Sequence, residues 1–344
     1  MLTQTINLQS KIKEKSLAKF KFRCHYLKNI IAPIYNEYTK DTNTLDQGIL
    51  LTESQQAIFE KAKAKNFVNL NKGETFTFKV FKKKSDELTV IKNKVDNFDY
   101  QTSYNRLYHI ASEEILDIKQ LLLTKSVTRG IDQEDESIQL VNNVLGLKLK
   151  KNEKRFESGF FSGVPDILYK DSVIDIKTCE TKASFDTKTL KMAMDDYFWQ
   201  LYGYKRLTKA SKYFIVYVLP SYPEKVIKKV VLNHFNRMVS FEEADYYYNS
   251  FKIHGLDKTI EQEPTITKFQ KDKIISLFDI YNQEFNNHNY DRLPENTRVK
   301  VFQIDGLDKI KDNIVDKILE KSREDLVSIA SQILQPLDTT NIQF

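Results

Sequence analysis

Hydrophobic and polar positions change their period several times between residues 131 and 219, and each change marks an element. The run SGVPDILY is apolar and β-prone, Lys170, Asp171 and Ser172 form a polar turn, and VIDIKT then alternates with period two. This pattern predicts a β-hairpin. On its second strand Val173, Asp175 and Lys177 share one face and Ile174 and Ile176 the other. Folding back through the turn sets Asp166 beside Asp175, about 5 Å away across the strands. Asp175 and Lys177 are expected on the solvent side of their strand.

Upstream, IDQEDESIQLVNNVLG (131–146) reads as a helix closed by a C-cap glycine. Ile131, Ile138, Val141 and Leu145 lie on one stripe, and the slot left open in it is Glu134. Asp132, Asp135 and Glu136 fall on other faces, as an acidic first turn favoured by the helix N-terminus. Downstream, residues 185–208 predict one long amphipathic helix with Leu190, Met194, Tyr197, Leu201 and Tyr204 on a stripe and Gln200 at its flank. YFIVYVL (213–219) then reads as a buried strand.

The flanks are predominantly helical. Residues 1–125 form an N-terminal helical and basic region. In it KFKFRCHYLKNII mixes basic and aromatic residues, lysines surround a possible FTFKVF strand, and residues 104–123 read as a helix. Residues 126–235 hold the core. Residues 236–344 read as a C-terminal helical extension with one strand at RVKVFQI (298–304) and a helix over 309–334 that is apolar at Ile310, Ile314, Ile318 and Leu326. No repeat and no Pro/Gly-rich linker divides the chain, so one elaborated domain is expected.

Composition narrows the class. Across 344 residues, 41% are hydrophobic, and 22 Phe with 18 Tyr against nine Gly and seven Pro argue for a packed core over disorder. The net charge of +6 is compatible with nucleic acid. Cys24 and Cys179 offer no disulfide framework and no zinc spacing, which suits a reducing compartment. No run approaches 18 apolar residues, and MLTQTINLQSKIKEK lacks the apolar core of a signal peptide. A cytoplasmic protein with no membrane partner is expected.

The charged residues change the picture further. Two carboxylates about 5 Å apart repel unless a cation or a proton lies between them. A glutamate on a buried stripe is costly unless paired or bound to metal. Each feature has an ordinary reading too: an exposed strand with a polar face in water, and an ion pair to a Lys or Arg at the edge of the core. Taken together, helix Glu134, then Pro165-Asp166, then Asp175-Ile176-Lys177 nine residues on, resemble the PD-(D/E)XK nucleases.

That resemblance implies a restriction-endonuclease-like α/β core, a mixed β-sheet flanked by helices. It also implies a hard divalent cation, Mg²⁺ or Mn²⁺, to polarise phosphoryl oxygens and activate water. Asp166 and Asp175 would hold it, Glu134 would complete its shell directly or through water, and the backbone carbonyl of Ile176 would add a ligand. Lys177 would orient the attacking water and offset charge developing on the phosphate.

A narrower resemblance spans most of the chain. RGIDQEDESIQLV, KKNEKRFESGFFSGVPDIL, VIDIKT and YFWQLYGYKRLT are similar to phage recombination exonucleases of the lambda exonuclease / YqaJ type, as are FRCHYLKNI and LPENTRVKVFQI. Gln200-x-x-x-Tyr204 resembles the Q-x-x-x-Y motif of RecB-like nucleases, which lies next to their active site; a helix-side Gln and a core Tyr would look the same.

The family implies a deoxyribonuclease that resects duplex DNA from the 5′ end, works with a single-strand annealing protein and in some members forms a toroidal homotrimer. Its N-terminal phosphate pocket maps here to Arg23 and His25, with His25 standing where the pattern has Ser. Independently of the family, Lys82, Lys83 and Lys84 lie in the basic and aromatic interleaving that suits a phosphate-tracking surface, or equally a solvated helix face. An endonuclease for restriction, repair or branched DNA, and a non-catalytic nuclease fold used for DNA binding or scaffolding, remain alternative readings.

Overall fold

The computed structural model describes residues 17–49, 51–64, 72–116, 130, 132–222, 224–235, 241–261 and 267–333. The described chain opens with a short strand, β1 (Phe22–Arg23), and a 3-10 turn, Cys24–Tyr26. Helix α1 (Leu27–Gln47) follows and buries Leu27, Ile30, Ile31 and Ile34, the 3-4 spacing of a core-facing stripe. Helices α2 (Glu53–Ala64), α3 (Lys72–Asp96) and α4 (Tyr104–Leu116) complete the N-terminal layer.

Helix α3 runs straight through FTFKVF, so the strand expected there is not formed. Six alternating residues are a weak signal. The lysine-rich turns that follow are good helix formers, and a helix once nucleated propagates at little cost. Packing against α1 fixes the outcome, with Lys94 paired to Asp41 at 3.3 Å.

Helix α5 (Glu134–Leu145) ends at Gly146, whose φ of 63° is the left-handed cap read from the sequence. Then come β2 (Phe156–Ser158), β3 (Phe161–Gly163), β4 (Ile167–Tyr169) and β5 (Ser172–Thr178). Short helix α6 (Lys182–Asp186), α7 (Leu190–Leu207) and β6 (Lys212–Val218) follow.

The single helix expected over 185–208 is therefore broken. The Thr189 side chain caps α7 by accepting from the Met192 N–H, and Lys300 Nζ donates to the carbonyls of Phe185, Asp186 and Lys188 at the end of α6. Leu190 and Met194 stay exposed, and the buried face of α7 is Ala193, Trp199, Leu201, Tyr202, Gly203 and Tyr204.

Between β6 and the last strand the chain inserts α8 (Glu224–Phe235), α9 (Phe241–His254), α10 (Leu256–Glu261) and α11 (Lys268–His288). These helices share a core of their own around Tyr222, Ile227, Val231, Tyr248, Ile274 and Leu277. Strand β7 (Val299–Gln303) and helix α12 (Asp312–Ile333) end the described chain. Residues beyond 235 thus supply an edge strand to the central sheet, and α12 packs on α1 and α4. Among the described residues no helix is long and apolar enough to cross a membrane.

The central sheet is mixed, in the order β4-β5-β6-β7, with β5 and β6 parallel and both outer pairs antiparallel. Parallel strands need a crossover, and α6 and α7 provide it. One face of the sheet (Val173, Tyr213, Ile215, Tyr217) packs under α7; the other (Ile167, Ile174, Val216, Val218) packs on Ile138, Leu140 and Val141 of α5. This is the α/β core expected from the sequence, a mixed sheet between helices with helical additions at both ends.

A second small sheet, β1-β3-β2, lies beside α7. The chain passes from it into the central sheet through Val164, Pro165 and Asp166. Two close approaches lock the N-terminal segment onto α7 and β3. A Cβ on Gly203 would meet Leu27 Cδ1 at 2.6 Å and Cys24 Sγ at 2.7 Å, and one on Gly163 would meet Cys24 Sγ at 2.8 Å.

Candidate active site

The hairpin forms as expected, with a turn one residue shorter, because Ser172 opens β5 instead of closing the turn. Ile167 pairs with Ile174 and Tyr169 with Ser172, and Lys170 adopts a φ of 52° in the two-residue turn. Because β4 begins only at Ile167, Asp166 stands one step beyond the ladder and its side chain takes over there: Asp166 Oδ2 accepts from the Ile176 N–H at 2.8 Å. In a strand the N–H and C=O of one residue point to the same side. The Ile176 carbonyl is thereby turned toward Asp166, where no strand covers it.

Asp175 is fully buried, which corrects the expectation of a surface position. Helix α7 covers it. Gln200 Nε2 donates to Asp175 Oδ1 at 2.9 Å and to the Tyr204 hydroxyl at 3.1 Å, and that hydroxyl donates to the Val164 carbonyl at 3.2 Å. A carboxylate only accepts, so the amide nitrogen of Gln200 must face it. Asp175 Oδ2 is paired with Lys177, whose Nζ lies 2.5 Å away. Lys177 also sits 4.6 Å from the centre of the Tyr197 ring.

These contacts set the protonation of the site. Burial pushes the Asp166 carboxyl up to about 7, and the Asp175 carboxylate beside it pushes the same way, against the pull of Lys177 and the Ile176 N–H. Burial opposes the charge on Lys177, but Asp175 and then Asp166 outweigh it and hold its pKa above the usual lysine value. A proton on Asp166 and the charged Lys177 ammonium thus offset the negative charge of the pair below about pH 7.

Glu134 is placed differently from the sequence reading. It is the first residue of α5 and only half-buried, and Lys151 Nζ lies 2.5 Å from its Oε2. The buried face of α5 is Gln133, Ser137, Ile138, Leu140 and Val141, while Leu145 is 40% exposed; Ile131 falls outside the described residues. The Glu134 charge still reaches Asp166 and adds to the upward push on it. Among the described residues, however, no three His, Cys, Asp or Glu side chains close around one point at metal-ligand spacing.

A divalent cation of the Mg²⁺ kind fits what is present. Such ions are commonly held by one or two carboxylates and keep several waters. Asp166, Asp175 Oδ2 and the Ile176 carbonyl supply oxygen donors of that kind, and Lys177 would have to yield part of its contact with Asp175 Oδ2 to admit the ion. Glu134 is tied to Lys151 and can join only after that pair opens, or through water.

Arg23 and His25 lie at the margin of this cluster. Although His25 is exposed as a residue, its ring packs edge-on against Tyr26 at 4.1 Å. That burial, and then the charges of Arg23, Arg106 and Lys177, push its pKa down to about 4. Arg106, which the sequence did not single out, lies over the Tyr26 ring at 4.0 Å with a buried Nε lacking a hydrogen-bond partner. Lys82, Lys83 and Lys84 are exposed on α3, which packs on α1 and α2.

Sequence reasoning also missed Asn152, whose N–H donates to the Asp166 carbonyl at 2.7 Å and whose side chain donates to that of Pro165 at 2.9 Å. Tyr197 could have been found, one helical turn before Gln200 on the same face. Nothing in the sequence marks Arg106 or Asn152.

No protein-family model matches the chain, and none of the curated proteins matches it. Among solved structures it is similar to a phage-related exonuclease from Haemophilus somnus 129PT, with 19% identity and a TM-score of 0.42 over 68% of this chain and 83% of that one. At that identity and TM-score the likeness bears on neither activity nor substrate.

Proposed function

We propose that this protein is a divalent-metal-dependent deoxyribonuclease that hydrolyses phosphodiester bonds at duplex DNA ends, in phage or mobile-element recombination. The observation that carries the reading is the pairing of Asp166 with the fully buried Asp175, against a lysine held charged 2.5 Å from Asp175.

Each residue has a task in that reading. Asp166, Asp175 and the Ile176 carbonyl would hold Mg²⁺ or Mn²⁺, with Glu134 reaching it through water. The cation, when bound, polarises the phosphoryl oxygens and lowers the pKa of its water. Lys177 orients the attacking water and offsets charge that grows on the phosphate in the transition state. Gln200 fixes the rotamer of Asp175, and Tyr204 fixes Gln200. Arg23, His25 and Arg106 would receive a phosphate beside Lys177, and a neutral His25 can donate one ring N–H to it. A resection enzyme of this kind would hand its 3′ overhang to a single-strand annealing protein, and a ring of three copies would keep it on the duplex.

The experiment is digestion in Mg²⁺ of a linear duplex and of a closed circle. Progressive loss of the linear DNA with the circle intact supports the exonuclease. Cutting of the circle transfers the same metal site to an endonuclease.

A further inference from the structure

We infer that residues Lys148–Arg155 form a preset arm that holds a nucleic-acid phosphate backbone alongside the Asp166–Asp175 pair, an inference that rests on the nuclease reading above. The segment reads KLKKNEKR, with five cations and one carboxylate. It has no regular secondary structure, yet it is fastened at two points.

The first fastening is Asn142, in the last turn of α5. Its Oδ1 accepts from the Leu149 N–H at 2.6 Å and its Nδ2 donates to the Leu149 carbonyl at 3.1 Å, while the Leu149 side chain is buried against α5 and the sheet. The second is Asn152. Besides its bonds to Pro165 and Asp166, its amide donates to the Lys154 carbonyl at 3.0 Å and accepts from the Lys154 N–H at 3.2 Å. The backbone of the arm is therefore hydrogen-bonded to the backbone of Asp166 itself.

These fastenings aim the side chains. With Leu149 turned in, Lys148 and Lys150 are turned out and exposed, and among the described residues neither forms an ion pair. Lys154 lies over the Phe156 ring at 5.2 Å, and Arg155 donates to Ser162 Oγ at 3.1 Å. Lys151, between them, pairs with Glu134.

Extended over its length the arm spans at most about 25 Å. One DNA strand presents a phosphate every ~3.4 Å along the helix axis, so several phosphates fall within that reach. Lysines that serve only solubility need no such clamps. A backbone ordered in advance loses little entropy on binding, which is what a docking strip requires.

The test is binding of a labelled DNA duplex to the full chain, followed by fluorescence anisotropy in EDTA across a potassium chloride series. Wild type is compared with Lys148→Ala/Lys150→Ala/Lys154→Ala and with a control of equal charge loss on the inserted helices, Lys229→Ala/Lys258→Ala/Lys271→Ala, all three exposed. The arm triple is expected to lower the slope of log affinity against log salt by about 2 to 3, since each phosphate contact contributes about 0.9. It also weakens binding at least tenfold at low salt, by at least about 1.4 kcal/mol. The control triple leaves both unchanged. A wild-type slope in the arm triple, or an equal loss from the control triple, overturns the arm and leaves the nuclease reading standing. Absence of DNA binding by the wild type at every salt concentration overturns both.

Discussion

Gln200 Nε2 stands 2.9 Å from Asp175 Oδ1, so a helix on one face of the sheet determines the rotamer of a carboxylate on its central strand. The amide has no alternative orientation, because the Tyr204 hydroxyl and the carboxylate both need its N–H groups. Gln200→Ala is expected to lower cleavage 10- to 100-fold with the fold retained, as is usual when a group that orients a metal ligand is removed. Gln200→Glu places a second charge against Asp175 and is expected to lose far more. Rates of both variants in Mg²⁺, with circular dichroism as control, check this.

Tyr204→Phe removes the hydroxyl that joins Gln200 to the Val164 carbonyl. The half-buried carbonyl loses its donor, at a cost of about 1 kcal/mol. Urea denaturation should show that loss, and the cleavage rate should fall less than in Gln200→Ala, because Gln200 keeps its bond to Asp175.

Asp166 gives a pH dependence with a defined sign. Its folded pKa of about 7 lies above the ordinary 3.8, so between those values the folded state binds more protons than the unfolded one. Stability therefore falls as pH rises from about 4 to about 7 and stays low above that. Asp166→Asn abolishes this dependence. In EDTA the variant should melt several degrees above wild type at pH 8, the gap corresponding to at most about 4 kcal/mol and closing toward pH 4. Equal melting temperatures at pH 8 would show that Asp166 is not forced upward by its neighbours.

Gly203 lies inside the Gln200–Tyr204 turn, and its bare Cα is the seat for Cys24 and Leu27. Gly203→Ala would gain helix propensity of up to about 1 kcal/mol but must displace two buried side chains, at about 1–3 kcal/mol. A net loss of stability is expected, measured by thermal unfolding. A Tm at or above wild type would contradict the tight contact.

The parts of the molecule legible in the sequence are those set by local periodicity. Period two placed Asp175 and Lys177 on one face of β5 and Ile174 and Ile176 on the other, as the two cores show. Gly146 was readable as a left-handed cap for the same local reason. What failed depended on distant chain. Asp175 looked exposed because nothing local reveals that α7 crosses above it. Glu134 looked like a core position because its stripe was drawn through Leu145, which lies at the solvent end of α5. The insertion of α8–α11 between two neighbouring strands, and the seating of the 148–155 arm on Asp166, are long-range facts that no spacing encodes.

The most direct measurement is the cleavage rate of a linear DNA duplex in Mg²⁺ for wild type, Asp175→Asn and Lys177→Met, each checked for folding by circular dichroism. Metal-dependent cleavage by the wild type, reduced about 10³-fold or more in both folded variants, is the predicted result. Undiminished cleavage by either folded variant, or none by the wild type, would contradict the assignment of this site.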